Sequence, residues 1–248
     1  MKFRHIQIAL ILLLLLGTVA QAQNIIPNLT IGMEKSEDPN DLVPTLQILF
    51  MITILSLAPS ILIMMTSFTR ITIVFHFLRQ SLATQTVPSN QILVGLALFL
   101  TFFIMRPVID EINDKALQPY LNKEISQAEA LEKAVSPLRA FMVKQTREED
   151  LLLFLDLRAG RERPKTVEEI PISTLIPAFI ISEITTAFKI GFLLYLPMLL
   201  IDLIVGSVLL SMGMMMLPPV MISMPFKLLL FVLVDGWQLV VESLVKGF

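Results

Sequence analysis

Hydrophobic residues along this chain fall into long tracts separated by one polar island. Thr45 to Met65 runs 21 residues without a charged side chain, the length of one bilayer crossing of about 30 Å. Pro59 within it predicts a kink. Val87-Pro88-Ser89-Asn90 then interrupts, Asn90 is placed to cap a helix, and Gln91 to Met105 is apolar until Arg106-Pro107, where the pattern predicts a stop. Such a helix covers only about 24 Å, so the pattern calls for a thinned bilayer or for protein neighbours. From Ser173 to Met224 the chain is apolar for 52 residues, read as two kinked helices, and another apolar helix is predicted from Pro225 to Val245.

The polar island carries its own helix punctuation. Ser126-Gln127-Ala128-Glu129 is a capping box, Ser136-Pro137 a predicted restart with proline in the first turn, and Thr146-Arg147-Glu148-Glu149 a second box leading into Leu151 to Leu157, with Gly160 as the stop. Gly160 to Pro171 reads as a charged linker back to the apolar region. At the other end, Lys2, Arg4 and His5, the apolar stretch Ile8 to Leu16 and Ala20-Gln21-Ala22 have the form of a secretory signal peptide over 1–22, cleaved between Ala22 and Gln23. An irregular leader, 23–44, follows. Ser67 to Gln85 carries Arg70 and Arg79 and no acidic residue, so the positive-inside tendency assigns it to a cytoplasmic connection. The resulting organisation is a first hydrophobic hairpin at 45–107, an extracytoplasmic helical segment at 108–172, and a second hydrophobic region at 173–248.

Composition sharpens this picture. The 248 residues are 55% hydrophobic and 16% charged, with 19 basic and 21 acidic side chains, 23 of them between Asp110 and Glu169. Mean hydropathy is +0.76, and the fold class that follows is an all-α integral membrane protein. A net charge of −2 supplies no basic field for nucleic acid. Zero cysteines and two histidines, His5 and His76, exclude thiolate chemistry and a histidine-rich metal site. There is no HExxH, GxSxG or glycine-rich phosphate loop to support an intramembrane enzyme. A small-solute transporter would show an internal inverted repeat, and none is found.

Charges inside the apolar tracts are the first candidate functional residues. Glu183, Lys189 and Asp202, then Lys227, Asp235 and Glu242, would each cost about 2.5–3.5 kcal/mol facing lipid. Glu183 and Lys189 are six residues apart and off one helix face, which calls for partners on another helix or another subunit. Glu183, Lys189, Asp202 and Asp235 are therefore expected to be buried and to support assembly, whereas snorkelling suits Lys227, Glu242 and Lys246. The second candidate is Met212, Gly213, Met214, Met215 and Met216, followed by Pro218 and Pro219. Gly213 can end a helix and the prolines cannot continue one, so a non-helical loop is predicted. Methionine suits both irregular core packing and a deformable seal.

Several long blocks in this order resemble the FliP/SctR/SpaP family of type III secretion export-gate proteins. They are Ile71 to Met105, Pro137 to Leu151 (PLRAFMVKQTREEDL), Ile176 to Phe192 (IPAFIISEITTAFKIGF) and Ile201 to Gly236 (IDLIVGSVLLSMGMMMLPPVMISMPFKLLLFVLVDG). Relatives in virulence injectisomes share the membrane blocks but usually lack a cleaved signal peptide, so the signal peptide read over 1–22 favours the flagellar branch. The resemblance implies kinked helical hairpins that assemble, in several copies thought to be five, into a helical oligomer with FliQ- and FliR-like subunits. It implies a pore-forming, non-enzymatic and cofactor-free subunit of the inner-membrane flagellar export gate, in contact with other export-apparatus and basal-body proteins and with unfolded flagellar substrates. Much of such an assembly stands on the periplasmic side. In this resemblance Met212, Met214, Met215 and Met216 correspond to the constriction that seals the pore at rest, with Pro218 and Pro219 setting its hinge.

Overall fold

The computed structural model describes residues 39–158, 164, 166–167, 169–214 and 216–248. The segment read as a signal peptide with its Ala22–Gln23 junction, most of the expected leader, Gly160 and Met215 lie outside the described residues. Among the described residues every regular element is helical, and two helices are long and apolar enough to cross a membrane, or three if a bent pair counts as one span. This is an all-α integral membrane protein.

Helix α1, Pro39–Met64, takes in the end of the segment expected to be irregular and continues through Pro59. The stretch read as a cytoplasmic connection contains helix α2, Phe68–Ser81. Its Ile71, Val74, Phe75 and Leu78 recur at helical spacing and are buried, because α2 forms the axis around which the later helices pack. Leu93 and Ala97 from α3 (Asn90–Ile112) and Ala187 and Met198 from α7 (Ile172–Ser211) close on that face. At Gly191 of α7 an added Cβ would lie 2.9 Å from the Phe77 Cβ, so the missing side chain is what lets α2 and α7 approach. Small residues of this kind matter in a bilayer, where helices associate by close packing rather than by leaving water.

Prolines end fewer helices than expected. Helix α3 begins at Asn90, one residue before the predicted start, so Ser89 in extended conformation takes the cap position expected of Asn90, and the helix passes through Arg106 and Pro107. A π-helical turn, Asn113–Leu117, then joins it to α4, Gln118–Leu121. The continuous run Asn90–Leu121 is 32 residues, about 48 Å at the helical rise, so no thinned bilayer is needed. Residue 108, where the polar segment was read to begin, consequently lies inside a helix.

Helix α5, Gln127–Gln145, starts at the first capping box: the Ser126 hydroxyl accepts from the Glu129 amide at 3.3 Å. Pro137 lies within α5 and does not restart it. The second box is not formed. The Thr146 hydroxyl donates to the Met142 carbonyl at 2.7 Å instead, and Arg147 takes the cap position of α6, Glu148–Asp156. Its amide donates to the buried Ser182 hydroxyl of α7 at 2.8 Å, while its guanidinium holds Asp150 at 2.7 and 2.8 Å. Tertiary partners have outcompeted the local cap.

The tract read as two kinked helices is largely one. Helix α7 extends 40 residues through Pro177 and Pro197, about 60 Å. Interior proline costs about 3 kcal/mol in an exposed soluble helix, yet apolar helices tolerate it when neighbours and local adjustments satisfy the freed carbonyl. Helix α8, Pro219–Leu233, and helix α9, Gly236–Lys246, replace the single helix expected from Pro225. They bend by 63° at Asp235.

Candidate functional site

The loop between α7 and α8 has the irregular backbone that the sequence predicts. Met212 caps α7, Gly213 adopts φ +73°, and the amides of Met214 and Gly213 donate to the carbonyls of Leu209 and Leu210, both at 3.0 Å. This crossed pair is a Schellman ending, which needs a left-handed residue and so favours glycine. Pro218 precedes α8 and Pro219 occupies its first position, where a missing amide hydrogen costs nothing. Between these fixed ends Met212 and Met214 are exposed, and Met216 is 99% exposed. The loop thus presents flexible thioethers outside the fold of its own subunit, which does not match ordinary core packing of those three.

Two ion clusters tie α7 to other helices. Arg70 of α2 is 4% exposed and grips Glu183 of α7 with two nitrogens, Nε donating at 2.9 Å and Nη2 donating to the second carboxylate oxygen. Its remaining capacity is spent on the Gln145 side-chain oxygen at 3.1 Å, the Gly247 carbonyl at 2.9 Å and the Phe248 ring, 3.9 Å from the guanidinium carbon to the centroid. Gln145 and Lys144 both donate to the Phe248 oxygen at 2.8 Å, and Phe141 stacks on the Phe248 ring. One cation therefore joins α2, α5, α7 and the residues after α9. A planar fork with five donors meets this demand, and lysine does not.

In the second cluster, Lys227 of α8 donates to Asp202 of α7 at 2.7 Å and the Ser223 hydroxyl donates to the other oxygen of the same carboxylate. Lys227 is 1% exposed, which overturns the snorkelling reading for it. Glu242 and Lys246 do form an exposed pair one turn apart on α9.

Of the four charges expected to be buried, Glu183 and Asp202 find partners on other helices of the same chain. Lys189 and Asp235 are exposed on the single chain, and no ion pair joins either to another described residue. Lys189 occupies a different face of α7 from Glu183. Asp235 sits in left-handed conformation, φ 50° and ψ 47°, at the α8–α9 bend without capping through its side chain. Asp235 makes the bend, since a short polar side chain tolerates that backbone better than most.

Arg70, Ser223, Gln145 and Phe248 were missed as site residues. Arg70 was legible as a charge set within the apolar periodicity of Ile71, Val74, Phe75 and Leu78, and Ser223 as a residue one turn before Lys227. Gln145 and Phe248 had no comparable signal, because their role depends on where α9 ends.

A groove of about 640 Å³ opens next to the α8–α9 bend, lined by Leu82 to Pro88 and by Met221, Met224, Phe231 and Trp237. Among the described residues no group of three His, Cys, Asp or Glu side chains is placed to hold a metal.

The model of the FliP family matches residues 51–244. The chain is 56% identical over 218 residues to the flagellar biosynthetic protein FliP of Bacillus subtilis (strain 168), an alignment covering 88% of this chain and 98% of that protein. It is 51% identical over 209 residues to the protein of the same name from Aquifex aeolicus (strain VF5), covering 84% and 87%. With that from Pectobacterium carotovorum subsp. carotovorum it shares 52% identity over 204 residues, 82% of this chain and 79% of that one. The matched region includes α2, both ion clusters' helices and the methionine loop, and the chain belongs to the FliP family.

Proposed function

We propose that this chain is a pore-forming core subunit of the flagellar protein export gate, acting in the bacterial inner membrane during flagellum assembly. The relatives' shared name, flagellar biosynthetic protein FliP, supports a flagellar role. Several copies assemble with FliQ- and FliR-like subunits and other basal-body proteins, and unfolded flagellar proteins pass through the channel so formed. The polar segment, 108–172, faces the periplasm, consistent with an exported N-terminus after cleavage at Ala22. The role requires positioning and sealing and involves no catalysis.

One observation carries the gate reading: a fixed-ended loop holds Met212, Met214 and Met216 outside the core. A channel for unfolded protein must open to about 10 Å, the diameter of a helix with side chains, and must block ions when idle. A collapsed ring of unbranched thioethers from several copies excludes water and then yields without breaking hydrogen bonds. Met214→Ala/Met215→Ala/Met216→Ala in the assembled complex should raise single-channel conductance and make cells leak small ions while substrate export continues. Unchanged conductance in an assembled variant would sink the seal, and loss of assembly without leakage would return the loop to packing.

A further inference from the structure

After the buried charges are paired, Lys189 and Asp235 remain as two opposite charges on exposed faces of otherwise apolar helices. Phe192 and Leu193 flank Lys189, and Leu233 and Leu239 flank Asp235, all exposed. A lone ionised group on such a face is costly against lipid and is relieved by a partner of opposite charge.

Contacts to α2 fix where the two groups stand. Arg70 meets Glu183, and Phe77 further along α2 meets Phe188 with ring centroids 5.0 Å apart, so α2 and α7 run parallel. Arg70 also meets Gly247, whereas Phe75 meets Trp237 at 6.3 Å, so α9 runs antiparallel to α2. Phe188 and Trp237 therefore sit at one level, that of Phe75 and Phe77. Lys189 follows the first and Asp235 precedes the second by two residues, which puts them within about one helical turn of the same height. Copies wound about an axis along the helices bring such residues together when the rise per copy stays within about one helical turn.

We propose that Lys189 of one copy pairs with Asp235 of the adjacent copy, so that α7 of each subunit docks against the α8–α9 bend of its neighbour. The surface is heterologous, one apolar face with a cation meeting another with an anion. This proposal rests on the oligomer reading above and specifies its interface. Asp235 then has two functions: it turns the chain and it presents a carboxylate at the bend.

The absence of cysteine from the chain allows a direct test. A copy with Lys189→Cys and a copy with Asp235→Cys, carrying different tags, are expressed together, purified through both tags with their native partners, and treated with a short bismaleimide. The pairing gives a crosslinked dimer bearing both tags, in larger yield than either cysteine with itself. A complex that holds both tags and yields no such dimer overturns the pairing, whereas failure to recover both tags in one complex overturns the oligomer reading itself. A charge cycle supplies a second measurement. Lys189→Gln alone and Asp235→Asn alone should each lower assembled complex by about tenfold, and the double variant should return to within about twofold of the native amount. Independent, additive losses, or no loss, would overturn the pairing.

Discussion

Glu183→Gln isolates the electrostatic part of the Arg70 cluster, because it keeps size and shape while removing the charge. Glu183 is fully buried, and Arg70 grips both its oxygens. In the variant the amide presents one acceptor to two donors, and its NH2 group faces a guanidinium nitrogen. Gln145, the Gly247 carbonyl and the Phe248 ring still touch the cation, but none carries a compensating charge in those contacts. Removing one partner of a buried pair costs about 3–5 kcal/mol, a large share of the 5–15 kcal/mol by which domains are commonly stable. At about 2–4 °C per kcal/mol for a chain of this size, melting in detergent should fall by about 6–20 °C. Arg70→Met/Glu183→Leu should recover most of the loss, since apolar replacement of a whole buried pair is often neutral. A melting point within about 2 °C of native for Glu183→Gln, or a double variant worse than the single, would refute this account of the cluster.

Gly191→Ala should lower stability by about 1–3 kcal/mol, since its Cβ meets the root of the Phe77 side chain at 2.9 Å, where rotation cannot relieve the clash; thermal unfolding together with Phe77→Ala in the same chain, which should rescue it, checks the contact. Gly213→Ala has open space for its Cβ but requires φ +73° of an alanine, so about 1–2 kcal/mol should be lost through backbone strain alone; Gly213→Asn should lose less, and equal losses would refute the strain account. Mass spectrometry of the assembled protein should find Gln23 as the first residue, and recovery of Met1 would overturn both the processing and the exported N-terminus.

Local stereochemistry was legible in the sequence wherever one short segment decides the outcome. Ser126 three residues before Glu129 makes its cap, and Gly213 followed by Pro218 and Pro219 delimits a loop, because each depends on a few adjacent dihedrals. Proline was read with the rules of water-exposed helices, and Pro107 and Pro137 both lie inside helices here. Arg70 was weighed by the membrane's topological bias alone, which carries no information about its partner, a carboxylate 113 residues away. The bend at Asp235 was hidden because a left-handed aspartate carries a weaker signal than glycine.

The pattern of satisfied and unsatisfied groups bears on how the chain would recognise other copies in the proposed oligomer. Phe99, Phe102 and Phe103 on α3 and Phe192 and Leu193 on α7 are exposed on the single chain, and in water that surface alone would drive association. In a bilayer, lipid tails cover the same side chains nearly as well, so apolar area supplies little preference for one docking register over another. Registers are distinguished by shape and by polar groups that lipid cannot satisfy. Arg70 with Glu183 and Lys227 with Asp202 are already paired and make no such demand. In the proposed oligomer, selectivity among copies would therefore come from the few groups left over, the exposed charges Lys189 and Asp235 among them, while the methionine loop would supply a surface soft enough to close on itself.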